Sequence, residues 1–127
     1  MKRFLVVLGI LAALIAYTVP APVYAETAQR AWTVASKSIS AQNEYSDAKW
    51  LSPGKAILAL SGTWSATVTV QVATDGNSEN SPTTWVNVDT FTANIVTNIE
   101  VGAPSWWRFG VATGNYTSGT VVGVLLQ

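Results

Sequence analysis

Thr63-Trp64-Ser65-Ala66-Thr67-Val68-Thr69-Val70-Gln71-Val72 alternates without interruption. Trp64, Ala66, Val68, Val70 and Val72 fall on one side, and Thr63, Ser65, Thr67, Thr69 and Gln71 on the other. Successive side chains of a strand point to opposite faces, so the run has one apolar, buried face and one hydroxyl-lined, wetted face. That is the pattern of an antiparallel sheet packed on one side only. The polar set makes a flat face that can lie against a partner.

The same rhythm spreads from this stretch in both directions. Upstream, Ser52-Pro53-Gly54 reads as a turn and Lys55 to Leu60 as a short apolar strand closed by Ser61-Gly62. Glu26 to Asp47 is rich in Ala, Ser and Gln and has no helical stripe; it reads as a first strand near Ala31 to Ser40, or as an arm that docks on a neighbour. Downstream, the polar segment between Thr74 and Thr84 is a solvent loop joining two strands. Trp85 to Thr92 places Val86 and Val88 on one face and Trp85, Asn87, Asp89 and Phe91 on the other. Ile95, Thr97, Ile99 and Val101 alternate, Gly102-Ala103-Pro104 turns the chain, and Trp106 to Ala112 forms another strand. Gly114-Asn115 and Ser118-Gly119 punctuate a last one, Thr120 to Leu126. About six or seven strands with no helix among them make an all-β fold, an antiparallel β-sandwich that is Ig-like or jelly-roll-like.

The beginning of the chain is different. Met1-Lys2-Arg3, the apolar run Phe4 to Ala16, and Val23-Tyr24-Ala25 have the layout of a secretory signal, with cleavage expected after Ala25. Phe4 to Val19 falls short of the roughly 20 apolar residues that a bilayer span requires. The expected organisation is a signal peptide or hydrophobic anchor over residues 1–25, an arm or first strand over 26–50, and the β-sandwich over 51–127. A membrane partner follows only if residues 1–25 are retained, as a hydrophobic docking peg or anchor.

Composition removes several function classes. Two of the seven Lys and Arg residues lie before Ala25, whereas all seven Asp and Glu residues lie after it, an imbalance too small to attract a polyanion. Nucleic acid is therefore not an expected partner. The chain has no cysteine and no histidine, so it lacks the thiolate, the usual general base and the commonest transition-metal ligands. No cofactor, no metal and no enzymatic activity are expected. A carboxylate pair drawn from Asp75, Glu79 and Asp89 is the one route left to glycosidase chemistry, but such an acid needs a desolvated pocket, not a polar loop. Asp75 to Asn80 begins like a calcium loop, yet its sixth position is Asn80 and its twelfth is Val86, so a solvated hairpin loop is the better reading.

The binding candidates come from Trp106-Trp107, because neighbours on a strand face opposite ways. Trp107 shares a face with Phe109 and Val111 and points inward; Trp106 shares the outer face with Arg108 and Gly110. An exposed indole beside a guanidinium is characteristic of interface hot spots and sugar platforms. Trp106, Arg108, Tyr116 and Trp50 are the candidate contact residues. The remaining tryptophans are expected in the core, and Trp106 itself would be covered if the Ala31 to Ser40 arm packed over it. If Val121 to Leu126 is at a sheet edge, it offers unpaired backbone groups to a neighbouring subunit.

Leu60 to Val72, followed by Thr84 to Asn94 and closed by Gly114 to Val121, resembles a group of small β-sandwich proteins encoded among the virion genes of tailed bacteriophages. The resemblance covers roughly residues 60–127. It implies a head-decoration, cement or fibre-like component without catalysis. The expected function is that of a non-enzymatic structural or adhesive subunit of a virion or extracellular assembly, with protein partners that include further copies of itself. The alternative is a secreted carbohydrate-binding module in which Trp106 and Trp50 stack on a cell-surface glycan.

Overall fold

Nine strands succeed one another in the computed structural model, which describes residues 32–127; the signal or anchor segment and the cleavage expected after Ala25 lie outside the described residues. They are β1 (Val34–Ile39), β2 (Glu44–Tyr45), β3 (Lys49–Leu51), β4 (Gly54–Ala66), β5 (Val68–Ala73), β6 (Trp85–Phe91), β7 (Ile95–Val101), β8 (Ser105–Val111) and β9 (Tyr116–Leu126). The described residues are all-β and form two antiparallel sheets. The first has the order β1-β9-β4-β7; in the second, β8 pairs with β5 on one side and with both β2 and β3 on the other, and β6 lies beyond β5.

The two sheets share one core. The first contributes Ala35, Ile39, Ala56, Leu58, Leu60, Ile99, Val101, Val121 and Leu125, and the second Leu51, Val68, Val70, Trp107, Phe109 and Val111. Trp107, Phe109 and Val111 are inward, as their spacing requires. Phe109 is fully buried and lies against the backbone of Gly123 in the opposite sheet: a Cβ on Gly123 would stand 2.2 Å from the Phe109 ring. Glycine is needed here for space, since the ring occupies the volume of the missing side chain.

The alternating stretch is not one strand. It divides at Thr67, with Thr63 to Ala66 ending β4 in the first sheet and Val68 to Val72 belonging to β5 in the second. Alternation survives the corner because the apolar side faces the shared core in both sheets. The hydroxyl side is consequently split between two exteriors, and Thr69 and Gln71 are only 2% and 9% exposed. The expected flat polar face does not form.

Three further expectations are corrected. Ser61-Gly62 does not end a strand: β4 runs through it, and Gly62, at φ +112°, would bring a Cβ to 2.4 Å from the Thr120 carbonyl oxygen. Gly119, at φ +86°, faces Trp64 in the adjoining strand within an uninterrupted β9. The two glycines thus allow a close strand approach, not a chain reversal. Second, Val121 to Leu126 is no edge, because β9 is paired on both sides by β1 and β4. Third, a bulge opposite Val70 and Gln71 breaks the alternation of β6, leaving Val86 and Val88 both about half exposed while Phe91 reaches the core.

The described residues before 51 are woven into the sheets. β1 pairs with β9 along its length. Between β2 and β3 one extra residue is taken up where Tyr45 pairs with Gly110 and Lys49 with Trp107. Ser46 fills that irregularity: its N–H donates to the Phe109 carbonyl (2.8 Å) and its Oγ accepts from the Phe109 N–H (3.1 Å).

Replacing Gly123 with alanine is expected to lower unfolding stability by about 1–3 kcal/mol through overpacking against Phe109. Urea denaturation checks this, and the variant Gly123→Ala with Phe109→Leu should recover part of the loss.

Candidate functional site

β8 presents its second set of side chains to the exterior of the second sheet, where cross-strand pairing gathers residues far apart in the chain. Trp50 on β3 sits directly opposite Trp106, and their rings meet edge to face, with centroids 5.7 Å apart and planes at 72°. The Trp106 indole N–H donates to the Asn77 carbonyl at 2.7 Å, which draws the β5–β6 loop toward this face. Both indoles are half-buried, and strand β1, the arm that would have covered Trp106 had it packed there, lies in the other sheet.

Two residues farther along β8, the Arg108 guanidinium carbon lies 4.1 Å from the ring centroid of Tyr45 and 4.1 Å from that of Trp85. The cation is clamped between two aromatic faces. Its Nε–H donates to Gln71 Oε1 at 2.7 Å, and Gln71 Nε2 donates to Asn87 Oδ1 at 2.9 Å, so a polar chain crosses β8, β5 and β6. Burial lowers the Arg108 pKa from its ordinary value, and Tyr45 offsets part of that effect. Gly110 makes the clamp possible: a Cβ there would stand 2.3 Å from the Tyr45 ring.

Three of the four sequence candidates, Trp50, Trp106 and Arg108, therefore share one face. Tyr116 does not join them. It opens β9 in the first sheet opposite Ala66, its ring packs on the core, and its hydroxyl donates to the Gly119 carbonyl at 2.8 Å. Tyr45, Trp85 and Asn87 were not anticipated, because their contribution depends on register and on the β6 bulge; Gln71 was placed on the outer side, but without its partners. The expectation of a tryptophan-filled core is also corrected: Trp107 is buried, Trp50, Trp64, Trp85 and Trp106 are half-buried, and Trp32 is 68% exposed.

The exterior of the first sheet is a second unusual surface. Register aligns Val34, Leu126 and Ile57 in one row that ends at Asn98, and Val124, Ala59 and Val96 in the next, which begins at Ser36, with Val122 beside them between Ser38 and Ser61. Val96 is 75% exposed, Val34 44% and Val122 42%. The signal was visible in Val121 to Leu126 and Ala56 to Leu60, which are apolar without alternation and so have two apolar faces.

The three carboxylates considered for hydrolysis are all exposed and are not assembled into a pocket. Asp75 closes its own loop, accepting from the Thr83 N–H and hydroxyl and from the Thr84 N–H (2.8 Å). Asn77 Oδ1 likewise accepts from the Glu79 and Asn80 N–H groups, so the oxygens that resembled a calcium loop serve the turn. Asp89 Oδ1 accepts from the Thr90 N–H. The Thr83 hydroxyl and the Thr84 amide hold the Asp75 carboxyl below its ordinary value of 3.8. Comparison with family models, curated proteins and solved structures finds no match for the chain.

Arg108→Ala leaves the Gln71 carbonyl oxygen without its donor, and a cost of about 1–3 kcal/mol is expected in denaturant unfolding. Arg108→Lys should restore little, since an ammonium lacks the planar group held between Tyr45 and Trp85. For Asp75 the depressed folded pKa means that its stabilisation of the loop is fully present above the unfolded value and is lost as pH falls through the folded one. The Thr83 and Thr84 amide proton shifts should therefore titrate with a midpoint below 3.8. A midpoint at or above it would show the carboxylate to be free.

Proposed function

We propose that the chain is a non-enzymatic structural subunit of a larger assembly, folded as a jelly-roll sandwich and acting through its outer sheet faces. With β2 and β3 counted as one interrupted strand, the sheet orders become 1-8-3-6 and 2-7-4-5 in chain position. That is the double Greek-key order of a jelly roll, an architecture used by viral capsid and lectin domains. Fold alone does not assign function, so the reading rests on surface chemistry.

The observation that carries it is the apolar exterior of the first sheet. Over residues 57–60 and 121–126 its central strands β4 and β9 are apolar on both faces, as in a strand covered on both sides, while Val34, Val96 and Val122 stand open among the described residues. Soluble monomers seldom carry a contiguous apolar patch of this kind, and a second subunit is the occupant that the assembly reading supplies. The Tyr45–Arg108–Trp85 clamp and the Trp50–Trp106 pair give the opposite exterior the aromatic and arginine chemistry of an interface hot spot. The resemblance of residues 60–127 to virion sandwiches of tailed bacteriophages, and the secretory layout of Met1 to Ala25, favour a virion or extracellular setting.

The carbohydrate alternative finds less support at Trp50 and Trp106. Edge-to-face indoles present no common flat platform.

Sedimentation velocity over a concentration series tests the assembly. The full chain should self-associate, and Val96→Lys with Val122→Lys should make it monomeric with stability changed by less than about 0.5 kcal/mol per site, as is usual at exposed positions. A wild-type chain that stays monomeric throughout would sink the reading.

A further inference from the structure

A cleft of about 340 Å³ opens where the β4-to-β5 corner, the β6–β7 link and the β8–β9 link meet. Its size is near the lower end of the range for small-molecule sites. The lining residues are mostly polar: Ser65, Thr67, Thr92, Asn115 and Thr117, with Trp64 and Ala66 beside them. No charged side chain lines it.

The walls are held in place by contacts within the fold. The Trp64 ring packs on the core, its N–H donates to Asn94 Oδ1 at 2.7 Å, and Asn94 Nδ2 donates to the Gly62 carbonyl at 2.9 Å. Directly behind it, a Cβ on Gly119 would stand 2.6 Å from the Trp64 Cα, so the two strands grip the residue at close range. Across the cleft, the Thr67 N–H donates to the Asn115 carbonyl at 2.8 Å, which ties the corner to the β8–β9 link. The Gly114 N–H donates to Gln42 Oε1 at 2.9 Å and fixes that link from its other side. A site ordered beforehand loses less freedom when a ligand arrives.

The lining selects the ligand class. Hydroxyl and carboxamide groups each donate and accept hydrogen bonds, which suits a partner bearing many hydroxyls. With no cation to receive a phosphate or carboxylate, and with too many polar groups for a lipid tail, an uncharged sugar is the match. We propose that this cleft is a binding site for neutral saccharides, distinct from the Trp50–Trp106 face.

The labelled full chain should be applied to an array of neutral and acidic glycans, and each retained glycan titrated by calorimetry. Binding to a neutral glycan is expected, with affinity falling at least about tenfold in Thr92→Val with Thr117→Val, a loss of hydrogen-bond partners at unchanged side-chain shape. The Trp64 indole N–H resonance should shift on titration, which reports on the cleft without any substitution. Retention of acidic glycans alone, of no glycan, or of neutral glycans with equal affinity by the valine variant would overturn the proposal. Self-association is read separately by sedimentation, so failure here leaves the assembly reading intact and failure there leaves this one intact.

Discussion

Phe109 resting on the bare backbone of Gly123 is the contact on which the remainder of the architecture depends. It locks β8 of one sheet over β9 of the other at a single depth, because the ring fits only where a side chain is missing. Since β8 is a strand, fixing Phe109 inward also fixes Arg108 and Gly110 outward. Gly110 then leaves room for the Tyr45 ring, and Tyr45 with Trp85 encloses the guanidinium. One inter-sheet contact therefore determines what the exterior displays.

Period-two patterning made the all-β class and the orientation of β8 legible, because both follow from side-chain alternation. Trp106 and Trp107 were separated correctly for that reason. What alternation cannot encode is which sheet a strand joins. Thr63 to Val72 reads as continuous whether it lies in one sheet or turns a corner, so the burial of Thr69 and Gln71 was out of reach. The glycines misled in the opposite direction. Gly62 and Gly119 carry the residue type of a turn, yet they serve a close approach between two long strands, which only register reveals.

The candidate site was half legible. Trp50, Trp106 and Arg108 share an exterior because their strands are neighbours, a fact of topology that happened to agree with composition. Tyr116 was chosen for its residue type and proved to be a packing residue with a satisfied hydroxyl. Tyr45 and Trp85 gained their place from pairing partners many residues away. The apolar exterior of the first sheet was written in the unbroken hydrophobic runs of β4 and β9, where the absence of alternation, more than its presence, carried the information.

The corner at Thr67 has a consequence for how this sequence can vary. Removing one residue between Gly62 and Thr67 would rotate everything beyond it by half a period, sending Thr69 and Gln71 toward the hydrophobic interior and Val68, Val70 and Val72 out to water. Length changes there are compatible with the fold only in steps of two, whereas the exposed part of the loop from Thr74 to Thr84, bounded by its own cap at Asp75, can change by odd as well as even numbers of residues. Across divergent descendants of this chain, parity at the corner should persist long after the identity of its residues has drifted.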